Sequence, residues 1–422
     1  MSFKQECKKK SFVYLHGLIH YIEPYIFTAK NSKELIDSLI DAFKYYKYQK
    51  ILLISSEDIT DNQLLETLYK TGLTSNVNFI SFPLKENQAT TFQVEKALHE
   101  YISNQCQAIL VIGDSVAIDL GKAVKARFLN LDLSIYQMRG FANIPHRKQQ
   151  PLLFIIPLSL AGNESNLSSC ILDHNHFEKI YLIDRLLSCD YIFYCPSSLT
   201  SLSADQFIGD ICIALANALE ALISKNATKN SRSTAAVSIK LILSALKNPI
   251  FSELQQFSQI ENLIESEKNV KIQIYREKKH EFFSLLESLQ EASNFSGKAS
   301  AKCLTGYTQA LRDALEVHYQ IVDYKVTPLL FLAIVKMYQQ KLSNSQEEIL
   351  SNKENYQQLF QEISEALIKL IADWKLPQHL SFIRATDFDS IIHLVKKEMT
   401  DYYASPYELD KDNLSAILKS LQ

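Results

Sequence analysis

VIGDSVAIDLGKAVKA, residues Val111 to Ala126, joins an apolar run that stops at Gly113 to an amphipathic helix pattern that starts at Val116. Strand, tight turn and helix in that order present a helix N-terminus to the phosphates of a dinucleotide. The turn here holds one glycine, with an aspartate beside it. Whether this is a working phosphate cradle or only its frame governs how the rest of the chain is read.

Outward from this stretch the alternation repeats. Ile51–Ser55, Val77–Phe82, Ala108–Ile112 and Leu152–Ile156 are short, continuous apolar runs, the pattern of strands buried on both faces of a parallel sheet. Helical patterns at Ser32–Tyr46, Asp61–Lys70, Thr91–Ser103 and Val116–Phe128 alternate with them, and Tyr191–Tyr194 adds an extended stretch before Pro196. Beyond Pro196 strand signals almost vanish. Helices are predicted at Leu202–Ser224, Arg232–Leu246, Lys278–Ser293, Ala301–Val317, Thr327–Leu342, Tyr356–Trp374, Asp387–Tyr403 and Asp412–Leu421. The expected fold is therefore α/β plus all-α: a Rossmann-like parallel α/β domain over residues 1–195 and an all-helical domain over 196–422. The cleft between them is the default ligand site.

Composition sets limits on function. A net charge of −3 gives no pull toward nucleic acid or an anionic membrane surface, and the lysines near the start (Lys4, Lys8, Lys9, Lys10) read as a solvated terminus. No run reaches the ~20 apolar residues of a membrane helix, and no signal peptide is expected. Seven scattered cysteines without a CxxC pair point to reduced thiols and a cytoplasmic protein. Glycine is scarce: nine in 422 residues, where average usage gives about thirty. Backbone phosphate grips depend on glycine, and most of it is gone here.

In this order the segments resemble the iron-containing alcohol dehydrogenase family, relatives of glycerol dehydrogenase and dehydroquinate synthase, from about Pro24 to the C-terminus. Val111–Ala126 sits where that family has its GGGSxxDxAK phosphate loop. PLLFIIPLSLAGNESNLSSCILD, Pro151–Asp173, resembles the second signature, PxxxIPTTxGTGSE followed by a strand. CPSSLTSL and ALANALEALIS resemble the entry to the helical domain. DWKLPQHL, Asp373–Leu380, and YYASPYELDKDNLSAIL resemble the C-terminal signature. The resemblance implies a dehydroquinate synthase-like fold whose α/β domain binds NAD(P). Its helical domain would hold one divalent metal, Fe or Zn, that polarises an alcohol oxygen for hydride transfer.

On that resemblance the family's metal ligands, an aspartate with a histidine four residues on and two histidines fourteen apart, fall on Ile213, Asn217, Gln309 and Asp323. A further family histidine position falls on Asp313. Isoleucine has no lone pair, and neutral amides are poor ligands for Fe²⁺ or Zn²⁺. No metal is expected beyond a weak hold on Mg²⁺ through Asp323. Asn217, Gln309, Asp313 and Asp323 are expected to form a hydrogen-bonded polar patch instead. His16 with His20 and His174 with His176 have ligand spacing but no evident third ligand. His318, near Asp323, is the histidine to watch as a general base.

The nucleotide positions are altered as well. Ile112, Gly113 and Asp114 replace consecutive glycines, and Asp114 puts a negative charge where a pyrophosphate would sit. At ~4 Å and an effective dielectric of ~20 that contact costs about 4 kcal/mol. Asp114 or Ser115 would also cap the helix with the amides a phosphate needs. Asp119 and Lys122 match the motif's Asp and Lys but read more simply as a surface pair. In the second loop LSLAGNES keeps mainly Ser159 and Gly162. The family's adenosine-side aspartate falls near Ser56, followed by Glu57 and Asp58. Gly113, Ser115, Ser159 and Lys122 are the residues left to touch a cofactor, and no cofactor is expected.

An insertion around Pro249–Tyr275 contains FSELQQFSQIENLIES, with Phe251, Leu254, Phe257, Ile260, Leu263 and Ile264 at helical spacing. It is expected either to pack on its own domain or to dock a partner. The functional expectation is a degenerate, non-catalytic binding or regulatory protein. It would take a protein partner or small ligand in the interdomain cleft, without nucleic acid or membrane, and a homodimer is the arrangement common among such relatives. The alternative is an NAD(P)-dependent oxidoreductase with an altered metal site, or with His318 and Asp323 as proton carriers.

Overall fold

A computed structural model of the chain describes residues 23–422 apart from 57–61, 86–87, 146–149, 174, 176–177, 258–264, 305, 321–323, 345–352 and 404. Asp323, Glu57, Asp58, His16, His20, His174 and His176 lie outside the described residues. The described strands are β1 (Tyr25–Thr28), β2 (Lys50–Ser56), β3 (Asn78–Leu84), β4 (Ala108–Gly113), β5 (Gly140–Phe141), β6 (Leu152–Pro157), β7 (Ser168–Asp173), β8 (Glu178–Ile183) and β9 (Tyr191–Tyr194). Six form a parallel sheet in the order β1-β9-β6-β4-β2-β3. From β2 the chain steps outward to β3, then returns to β4 on the other side of β2. The strand order therefore reverses between β2 and β4, so the crevice that receives ligands in doubly wound sheets lies beyond Ser56 and Gly113.

Helices α1 (Ser32–Tyr45), α2 (Asn62–Thr74), α3 (Thr91–Ser103) and α4 (Ser115–Leu129) cover this sheet. Their ends follow local chemistry. Asn31 caps α1, and Thr90 and Gln93 form a reciprocal capping box on α3. β4 is buried along its whole length, as its continuous apolar run requires, and apolar clusters fill both faces of the sheet.

A second sheet, β5-β8-β7, was not expected as a unit. β7 and β8 are antiparallel, with Asp173 opposite Glu178, and β7 packs on α4. Its strands β5 and β8 face the helices that follow.

Those helices are α5 (Ala204–Ile223), α6 (Lys229–Lys247), α7 (Pro249–Phe257), α8 (Glu265–Cys303), α9 (Tyr307–Tyr319), α10 (Thr327–Asn344), α11 (Lys353–Asp373), α12 (Phe388–Tyr402) and α13 (Lys411–Leu421). Two expectations change. The predicted helix Lys278–Ser293 is the middle of the 39-residue α8. The predicted helix Ala301–Val317 is broken, because Leu304 takes a left-handed φ of 62° and α9 starts afresh at Tyr307. α5 is also more apolar than expected. Its 20 residues are long and apolar enough to cross a membrane by composition, and they are almost wholly buried inside the fold. It is the central helix of the helical core, against α6, α8 and α10. In the insertion, Phe251 is buried against Phe207 and Trp374, so α7 packs on its own domain. Residues 258–264, with Ile260, Leu263 and Ile264, lie outside the described residues.

Candidate functional site

At the switch point the helix N-terminus is already occupied. Asp114 is the N-cap of α4, and its Oδ1 accepts from Ala117 N at 3.1 Å and from Ser56 Oγ at 3.1 Å. Asp114 N donates back to Ser56 Oγ at 3.2 Å. The two strand ends on either side of the reversal are thus bonded to each other. A Cβ on Gly113 would stand 2.3 Å from Ser56 Oγ, so the packing of the two strand ends requires a glycine here. Burial pushes the Asp114 carboxyl up, opposed by its bonds to Ala117 N and Ser56. Capping of this kind stabilises a helix by about 1 kcal/mol.

Ser115 Oγ lies 3.2 Å from Ser159 Oγ, which in turn accepts from Ala161 N at 3.1 Å. The loop after β6 is pinned from both sides. Leu160 N donates to Asp210 Oδ2 of α5 at 3.0 Å, and Ser165 Oγ donates to Asn294 Oδ1 of α8 at 2.9 Å. Gly162, at φ +87°, crosses α8 so closely that a Cβ on it would stand 2.6 Å from Ser293 O.

The expectation that Asp119 and Lys122 form a surface pair is wrong: Lys122 is 0% exposed and Asp119 8%. α4 lies beneath the second sheet and the loop before it, so the face carrying both residues is covered. Lys122 Nζ donates to Asn163 O (2.5 Å), Asn166 O (2.9 Å), Asn166 Oδ1 (2.6 Å) and Ser168 O (3.1 Å). Burial brings its pKa down to about 8, with Asp119 opposing, and burial raises Asp119 to about 7. Lys122 is a tether for residues 163–168, and its protons are already committed.

Across the cleft, Ile213 and Asn217 of α5 and Gln309 of α9 line one cavity of about 120 Å³ with Ser115, Asp119, Lys179, Arg312 and Glu316. The three matched metal positions among the described residues therefore do converge. Their chemistry does not fit the metal: the described positions offer an aliphatic group and two neutral amides, a donor set unsuited to Fe²⁺ or Zn²⁺. Among the described residues no group of three His, Cys, Asp or Glu is placed to hold an ion. The expected polar patch forms in part, through Gln309 Nε2 donating to Asp313 Oδ1 at 2.9 Å.

Residues that sequence reasoning missed dominate this wall. Lys179 of β8 reaches into α9, where its Nζ donates to Asp313 Oδ1 at 2.5 Å and to Glu316 Oε2. Tyr181 OH, also on β8, donates to Asp313 Oδ2, and Arg312 Nε lies 3.0 Å from Glu316 Oε1. Lys179, Asp313 and Glu316 side chains are 9%, 1% and 8% exposed. Burial opposes the charge on Lys179, but Asp313 and Glu316 outweigh it and raise its pKa; for Asp313 burial is likewise outweighed by Lys179 and Arg312, and the carboxyl is lowered. Burial and the neighbouring Asp313 hold Glu398 well above the usual carboxylate range. The available signal was a pair of carboxylates, Asp313 and Glu316, three apart on the polar face that α9 also gives to Gln309 and Arg312, which calls for a cation on the facing element. His318 does not join them. Its Nε2 lies 3.6 Å from Asp387 Oδ2 and its Nδ1 3.4 Å from Ser390 Oγ, on the side of α12.

Comparison with known proteins agrees with this architecture. Residues 28–196 match the family model described as iron-containing alcohol dehydrogenase. No curated protein sequence matches the chain. Among solved structures, a 1,3-propanediol oxidoreductase is similar with a TM-score of 0.77 and 16% identity, over 96% of this chain and 100% of that one. An alcohol dehydrogenase from Oenococcus oeni gives 0.75 and 15%, over 95% and 99%. A sulfoacetaldehyde reductase from Bifidobacterium kashiwanohense in complex with NAD+ gives 0.76 and 15%, over 96% and 98%.

Proposed function

We infer that this chain, which has the fold of the iron-containing alcohol dehydrogenases and matches that family's model over residues 28–196, acts as a non-catalytic binding or regulatory protein. One observation carries the reading. The cavity shared by Ile213, Asn217 and Gln309 is walled by an internal ion network, Lys179 with Asp313 and Glu316, in place of imidazole ligands. The closed turn at Asp114 supports it from the cofactor side: the helix amide that would meet a phosphate is bonded to an aspartate of the chain itself. Hydride transfer needs both partners together, so alteration at both weighs against it more than alteration at either.

A cavity of about 120 Å³ falls below the ~300–1,000 Å³ of typical small-molecule sites. Its occupant is a small polar molecule that contacts Ser115, or the cleft serves a protein partner by its shape. The described cysteines are all free and, except Cys170, buried, which suits a reducing cytoplasmic setting. Titration of the purified protein with NADH and NADPH, by calorimetry or fluorescence, tests the reading. Binding weaker than ~100 μM is expected; tighter binding supports the alternative, an oxidoreductase with an altered metal site.

A further inference from the structure

We propose that the cleft cavity is a binding site for a short monocarboxylic acid, whose carboxylate is held by Arg312 with Asn217, Tyr324 and Thr327 around it. The proposal rests on the reading that the cleft binds and does not catalyse, and it names the class of molecule bound.

Arg312 of α9 lines the cavity, with its side chain 20% exposed. Its Nε lies 3.0 Å from Glu316 Oε1 without making a hydrogen bond there, and its terminal nitrogens have no acceptor among the described residues. Charged donors left unpaired in a largely buried place cost free energy until an acceptor arrives. A guanidinium is a planar fork, and a carboxylate meets it with two parallel hydrogen bonds. Glu316 stands at Nε, which leaves the edge between the two terminal nitrogens for a ligand.

Other elements bring donors in the same condition to the same space. Thr327, the first residue of α10, is 1% exposed and lines the cavity, and its Oγ1 has no partner among the described residues. Asn217 of α5, 9% exposed, also lines it, and its amide makes no hydrogen bond to a described residue. Tyr324, in the turn before α10, keeps its proton to donate, because burial and then the nearby Asp210 and Asp114 push its pKa up. Guanidinium, amide and hydroxyl groups that face one space from three elements, with no acceptor in the chain, describe a ligand rich in acceptors.

Size and charge narrow the class. At about 30 Å³ per water, a cavity of about 120 Å³ has the room of about four waters, or an acid of roughly two to four carbons. Lys179 and Arg312 balance Asp313 and Glu316, and Lys122 stands against Asp119. The wall thus has no surplus of positive charge for a doubly charged phosphate ester, whereas a single carboxylate matches a single fork.

The test titrates the full chain by calorimetry with sodium acetate, L-lactate and butyrate over a sodium chloride background, and with the neutral amide of each acid. At least one acid should saturate with a Kd below ~1 mM, and its amide should bind at least about tenfold more weakly. Thr327→Val removes an unpartnered hydroxyl and keeps the side chain's shape. It should therefore fold with native stability and yet lose about tenfold in affinity for the acid. Arg312→Lys keeps the charge, loses the fork, and should lose more. No acid saturating below ~1 mM, an amide bound within about tenfold of its acid, or unchanged affinity in either variant overturns the proposal. If Arg312→Lys does not fold, Asn217→Ala takes its place under the same criterion. A failed acid titration beside NADH binding weaker than ~100 μM sinks the carboxylate site alone. Acid binding beside NADH binding tighter than ~100 μM keeps the site and sinks the non-catalytic reading.

Discussion

Lys122→Met separates a loop tether from a phosphate grip. Methionine keeps the length and most of the volume but removes a buried ammonium whose protons go to four oxygens of residues 163–168. Hydrogen bonds to a charged donor contribute about 1.5–3 kcal/mol each before the desolvation of the ammonium is subtracted. Three such bonds less that penalty leave a net loss on the scale of breaking a buried ion pair, about 3–5 kcal/mol. The orphaned carbonyls of Asn163, Asn166 and Ser168 then draw water into the loop. Urea unfolding should report the loss, and amide exchange should rise first at 163–168. A variant within ~1 kcal/mol of native, with unchanged exchange in that loop, refutes the tether. A surface lysine kept for phosphate would behave in that second way.

The remaining predictions concern the same frame. Gly162→Ala combines a left-handed backbone with a Cβ 2.6 Å from Ser293 O, so it should lose roughly 2–5 kcal/mol in chemical unfolding; native stability would mean the loop is free of α8. Burial raises Asp119, Asp210 and Glu220 each to about 7, against about 4 in an unfolded chain. The folded state then holds more protons between those values, so these groups' stabilising contribution is full below about pH 4 and lost as pH rises through about 7. Glu220→Gln, which keeps an acceptor for Thr308 N but not for Gly306 N, should flatten the decline of stability between pH 5 and 8 by up to ~1.4 kcal/mol per pH unit. An unchanged slope in paired unfolding curves would show that Glu220 is ionised when folded.

The sheet was legible because continuous apolar runs have few alternatives. ILLIS became the interior of β2, and Thr91–Ser103 became α3 with its capping box. The second sheet was not legible, because β8, EKIYLI, begins with two charged residues and pairs antiparallel with β7 across a short connection. Lysine on a strand is normally solvated, and only the docking of α9 buries Lys179. The second sheet and the loop before it, by covering α4, turned Asp119 and Lys122 from an apparent surface pair into core residues. Asp114 was readable as a cap because capping is local; its bond to Ser56 was not, since those residues are 58 apart.

The metal content of the protein purified without chelator bears most directly on the account. With Ile213, Asn217 and Gln309 facing the cavity and Lys179 holding Asp313 and Glu316, iron and zinc should be found only in traces. A full equivalent of either metal per chain, released together with a change at Gln309 and Asn217 in amide exchange, would contradict it.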